Sequence, residues 1–227
     1  GLLRHGGGGG SGPPGAAAGR GARHTGPVDL TLVTNLFGAV GLGAASGLNA
    51  WIPLFGLGLA QRLGLVTLSP AFDALGSTPV LVVLGVLFAL DLVGDKVPAL
   101  DHVLHLFGFA IAPVSGAIVF AAQDNLVSNS HPALAGLAGL VLGGVVHAGR
   151  STLRPAVIAT TAGPGNPVVS TVEDVVSTIL TVLAVLVPVL AFLALVALVI
   201  AATVVVVRWH QRRATAGPVR AAPPPPL

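Results

Sequence analysis

The chain contains no cysteine, no methionine and no tyrosine, and a single lysine. Without cysteine there is no disulfide, thiolate metal site, iron–sulfur cluster or thiol redox chemistry. Without methionine there is no initiator, so a processed product or a fragment is expected. Charge is scarce as well: 8% of the 227 residues are charged, against roughly 25% in a soluble domain. The basic residues stand singly or in small groups beside apolar runs, and they do not interleave with aromatics. The net charge of +3 therefore builds no basic stripe, and nucleic acid is not an expected partner. What the chain has in abundance is apolar: 53% of its residues are hydrophobic and the mean hydropathy is +0.90. The lipid bilayer is the expected partner. The fold class is all-α, a polytopic membrane helix bundle.

Two ends frame the apolar region. Residues 1–27 are Gly/Ala/Pro-rich and lack an apolar h-region, so they form an expected disordered tail rather than a signal peptide. Residues 211–227 are basic and then Pro-rich, a second flexible tail. The domain between them, residues 28–210, divides into about six spans of ~20 residues. The first stretch, Leu30 to Leu63, would be ~50 Å long as one helix. Gly47 and Pro53 predict a break in it, with freed backbone groups near Asn49. Further spans follow at 79–97, 103–122 and 132–148. Residues 167–208 are long enough for two more, with a turn at Pro188 or a kink in one long helix.

Read as six crossings with a broken first helix, the chain puts ten basic residues on one side and only Arg62 on the other. The positive-inside rule then makes both termini cytoplasmic. A re-entrant hairpin in the first stretch would give four against seven, so charge bias favours the broken crossing. The spans also suggest two inverted three-helix repeats. Each opens with a Gly-rich helix, Gly41 to Ala50 and Gly139 to Ala148, broken near Pro53 and Pro155. Such repeats are typical of secondary transporters.

Three groups of polar residues could carry chemistry. Asp91 and Asp95 share a helix face at i, i+4, followed by Lys96, Asp101 and His102. Asp91 lies inside an apolar span, where an ionisable residue must meet a base, a proton or water. His147, Arg150 and Arg154 align on one face by spacings of three, four and seven. Glu173 and Asp174 follow Ser170-Thr171 in a capping-box pattern, and Asn166-Pro167 is a second helix-start signal. The simpler readings are a span end in water, a snorkelling anchor and a charged helix N-terminus. All three groups are expected at the cytoplasmic side, as a salt-bridge network or a polar vestibule. Arg150 or Arg154 is the expected partner of Asp91 and Asp95.

Gly47-Leu-Asn-Ala-Trp-Ile-Pro-Leu54, Asp95-Lys-Val-Pro-Ala-Leu-Asp-His102 and Ser170-Thr-Val-Glu-Asp174 resemble bacterial membrane proteins catalogued as domain of unknown function 4126. The resemblance covers roughly residues 35–190. It implies an integral membrane protein and supplies no established activity. Three functions remain open. The first is a transporter or channel for a small ion or solute, using Asn49 and the charged groups. The second is a non-catalytic scaffold or assembly factor, whose Gly-rich helices pack a partner subunit or another copy. The third is an enzyme acting on a lipid or phosphate ester, with Mg²⁺ on Asp91, Asp95 and Asp101. No Gly-rich phosphate loop or His-Glu-x-x-His pair is present, so no catalytic residue, metal or cofactor is assigned.

Overall fold

A computed structural model describes residues 29–94, 98–161 and 165–215. Among them are eight α-helices: α1 (Leu30–Leu48), α2 (Trp51–Arg62), α3 (Thr78–Gly94), α4 (Pro98–Ala122), α5 (Leu126–Ser130), α6 (Pro132–Thr161), α7 (Gly165–Leu186) and α8 (Pro188–Thr215). A short 3₁₀ helix, Pro70–Gly76, precedes α3. The expected all-α membrane bundle is the observed one. Four helices are each long and apolar enough to cross a bilayer, and the pair Pro70–Gly76 and Thr78–Gly94, bent by 64°, is long and apolar enough to do so together. The expected tails lie outside the described residues, except that α8 continues to Thr215.

Local chemistry sets the helix limits. Asp29 caps α1 by accepting from the Thr31 amide at 2.9 Å, and Asn125 caps α5 by accepting from Val127 and Ser128. Proline opens α4, α6 and α8, where its missing N–H costs nothing. The chain passes from α7 to α8 at Val187, so the turn expected at Pro188 is there. Gly64 takes φ +71° just after α2, a conformation open to a residue without Cβ.

α1 is the central helix, with neighbours α2, α4, α5, α6, α7 and α8. Its residues Gly38 to Gly47 are mostly buried. Contacts along it give every helix a direction. At its start, Asn35 donates to the Asp124 carbonyl and Gly38 lies against Ala184 and Pro188. At its end, Leu48 accepts from Arg150 and Asn49 reaches Asp91 and Asp174. α6 and α8 therefore run parallel to α1, and α4 and α7 antiparallel. These two levels define an Asp124 end and an Arg150 end of the bundle.

The first stretch is not a broken crossing. After Asn49 the chain turns back: Gly56 of α2 packs on Thr181, Arg62 donates to Thr78 at the start of α3, and Ser69 donates to the Ala122 carbonyl at 2.9 Å. Leu68 bridges to Gln123, beside the partner of Asn35. α1 and α2 form a re-entrant hairpin, both of whose outer ends lie at the Asp124 end. Where about six spans were expected, four helices, or five with the bent pair, are long and apolar enough to cross, and the first stretch folds back on itself. In consequence α1 begins and α8 finishes at opposite ends of the bundle, contrary to the reading that put both termini on one side.

The expected inverted repeat is overturned by the same directions. The Gly-rich parts of α1 and α6 point the same way, with Gly43 against Leu142 and Gly47 against Val146. An inversion requires them to oppose. Nor is α6 broken near Pro155, since it runs unbroken to Thr161.

Candidate functional site

The hairpin tip carries the most densely connected polar group of the described residues. Pro53 cannot donate to the Asn49 carbonyl, and its ring would clash with that carbonyl in a continuous helix. The helix therefore stops at Leu48 and restarts at Trp51. Asn49 ties the two pieces together. Its Oδ1 accepts from the backbone amides of Trp51 at 3.0 Å and Ile52 at 3.3 Å, which caps α2. Its Nδ2 donates to Asp91 Oδ2 at 2.7 Å and to Asp174 Oδ1 at 2.8 Å. A side-chain amide has two donor hydrogens and two acceptor sites, and here all are used. The network also fixes the amide orientation, because a flip would turn Oδ1 toward two carboxylates.

The carbonyls on either side of Asn49 are satisfied by side chains from other helices. Arg150 of α6 donates through Nη1 to Leu48. Ser115 of α4 donates to Ala50 at 2.7 Å and lies 3.2 Å from Ser46 Oγ. Ser177 of α7 donates to the Ala45 carbonyl at 3.1 Å. Irregular backbone at membrane depth is tolerated only when its polar groups are met, and side chains from three helices, α4, α6 and α7, meet its carbonyls here. Arg150 Nε approaches Glu173 Oε2 at 3.2 Å, with both side chains 13% exposed. The N–H is not aimed well enough to count as a hydrogen bond, so the contact is an ion pair rather than a directional bond.

The site thus gathers Asn49, Asp91, Arg150, Glu173 and Asp174 from the sequence candidates. His147, also expected there, is buried on α6 with the ring of Phe109 edge-on to it at 4.8 Å. Two expectations change. Arg150 engages Glu173 and Leu48 rather than Asp91, because Asp91 lies across the hairpin tip on α3. The Ser170–Glu173 capping box does not start a helix, since α7 begins at Gly165. Glu173 and Asp174 lie more than two turns inside α7, where they reach α6 and α1. Asp95 and Lys96 lie outside the described residues. Of Asp101, His102 and Arg154 only the helical backbone is described, in α4 and α6.

Sequence reasoning missed Ser46, Ser115 and Ser177, all buried. A small polar residue inside an otherwise apolar, Gly-rich run is the signal that could have found the first two.

No curated protein and no solved structure matches the chain. The family described as Domain of unknown function (DUF4126) matches residues 36–208, a stretch that holds the hairpin from Leu36 onward, all three polar groups and α8 as far as Arg208. The chain belongs to that family.

Proposed function

We propose that this membrane protein transports or conducts a small cation, a proton included, through a site formed by Asp91 and Asp174. The observation that carries this is that both carboxylates bond the same side-chain nitrogen, which brings two acids from α3 and α7 together at the hairpin tip. Both oxygens lie within hydrogen-bond distance of Asn49 Nδ2, so they are no further apart than the sum of those two distances. Two like charges ~5 Å apart repel by about 3 kcal/mol at an effective dielectric of ~20. A proton or a small cation between them relieves that repulsion. The tip of a re-entrant hairpin is where an embedded chain can offer backbone and carboxylate oxygens to such an ion. The basic residues favour a cytoplasmic Arg150 end. Counted on the hairpin topology, seven basic residues belong to that side and four to the other.

Purified protein in liposomes carrying an internal pH dye tests this. An imposed potential should drive proton or alkali-cation flux in the parent chain, and the Asp91→Asn/Asp174→Asn variant should lose it. Equal flux in both would remove these acids from the function.

A second reading, a scaffold, is favoured by the close approach of α4 and α6. A Cβ at Gly139 would collide with the Gly116 carbonyl, and one at Gly143 would lie 2.6 Å from the Ala112 carbonyl. Such tight packing suits a rigid partner for another subunit or copy. The Mg²⁺-dependent reading draws on Asp95 and Asp101, which lie outside the described side chains.

A further inference from the structure

α7 and α8 meet at Val187 and then spread. Near the junction Ala184 and Ala191 both touch Gly41. One level on, Leu180 and Leu195 still share a cluster with Ala44 and Ala45. Beyond that, a cleft of about 460 Å³ opens between Val169 and Glu173 on one wall and Val199 and Thr203 on the other. Its floor is Leu48 and Val146, directly behind the hairpin tip. Its rim residues Val145 and Val199 are 65% and 54% exposed. On helices that cross the bilayer, such apolar exposure faces hydrocarbon.

Water does not suit this cleft. A buried water needs two to four polar partners. The polar groups on the walls are Arg150, Glu173 and Thr203. Arg150 is committed to Leu48 and Glu173, and the Thr203 hydroxyl donates to the Val199 carbonyl at 2.7 Å. A hydrocarbon chain satisfies such walls by dispersion contacts alone. Moving a chain from bulk lipid into an apolar cleft brings no hydrophobic gain, however. Specific retention therefore needs a polar contribution at the mouth. The same end of α8 continues from Thr203 to Arg208, Arg212 and Arg213, a concentration of positive charge in a chain with few charges. Arginine at a membrane interface recognises phosphate.

We propose that the α7–α8 cleft is a binding site for one anionic phospholipid, its acyl chain packed against Leu48 and Val146 and its headgroup at the Arg208 end of α8. The site is separate from the carboxylate pair and does not depend on the transport reading. The full chain should be reconstituted in bilayers of equal phosphatidylglycerol and phosphatidylcholine, each carrying in turn a photoreactive acyl chain. The phosphatidylglycerol probe should label residues 145–149 and 198–203, and the phosphatidylcholine probe should label them much less. Ala202→Trp, at the exposed rim, should abolish that labelling by filling the cleft. Val205→Trp, exposed on α8 but outside the cleft, should leave it intact and controls for general damage to the helix. Equal labelling by both lipids, labelling indifferent to Ala202→Trp, or cross-links at Val199→Cys between two copies of the chain would each overturn the proposal.

Discussion

Asn49 joins two helices and two acids, so its replacement separates capping from charge. Asn49→Leu removes the cap of α2 and both carboxylate bonds. The loss should be about 2–4 kcal/mol, from a cap of ~1 kcal/mol and buried polar groups left unmet. Thermal unfolding in detergent would show it as a lower midpoint, and an unchanged midpoint would mean that the bridge adds nothing. The ion pair makes a different prediction. Removing one partner of a buried pair strands the other charge and costs about 3–5 kcal/mol, whereas replacing both is often nearly neutral. Arg150→Gln and Glu173→Gln should each lower the midpoint, and the double variant should recover most of the Glu173→Gln loss. It should not recover fully, because the Leu48 carbonyl loses its donor. Strict additivity of the two single effects would show that the groups do not interact. Asp91 was legible from sequence as an acid in an apolar span. Its bond to Asn49 was not, because the two residues are 42 positions apart and Asn49 is neutral.

The glycines of α4 and α6 belong to the scale of the element. Local propensity penalises each of them by roughly 0.5–1 kcal/mol against alanine in a helix interior. At Gly139 close packing overrides propensity, since a methyl group would strike the Gly116 carbonyl and the Phe120 side chain. At Gly136 and Gly149 nothing lies within 4 Å of the added carbon. Gly139→Ala should therefore destabilise the protein clearly, while Gly136→Ala should be neutral or slightly stabilising. The comparison is a matched pair on one helix, read by the same unfolding midpoint. Equal effects at the two positions would mean that α4 and α6 do not approach as closely as described. In the sequence both positions are glycines in one apolar run, and nothing there distinguishes them, because the distinction lies in which face meets α4.

For the whole molecule, the hairpin predicts which loops share a side. Leu30, Leu65 and Ser130 are exposed and belong to the Asp124 end, and Gln211 is exposed at the far end of α8. In this cysteine-free chain, single cysteines at Leu30, Leu65 and Ser130 should react alike with an impermeant thiol reagent in intact cells. A cysteine at Gln211 should behave oppositely. Matching reactivity at Leu30 and Gln211 would restore the broken crossing. Charge counting pointed to the broken crossing because it gave the more lopsided distribution. The packing of Gly56 on Thr181 and the bond from Ser69 to Ala122 outweigh that bias.

The sequence by itself determined the environment and the segmentation. Apolar runs of bilayer length need no tertiary information, and proline fixes helix starts and the break after Leu48 through local sterics alone. The ionisable residues worth watching were visible for the same reason, since a charge inside an apolar run stands out whatever surrounds it. Tertiary structure decided the direction taken after the break. The two-residue gap at Asn49 and Ala50 leaves backbone angles free, and the packing of α2 against α3 and α7 selects the return path. It also decided the pairing of the site: Asn49 meets Asp174 across 125 residues and Arg150 meets Leu48 across 102. No periodicity within a single helix encodes contacts of that range, because they exist only once neighbouring helices have chosen their directions and depths.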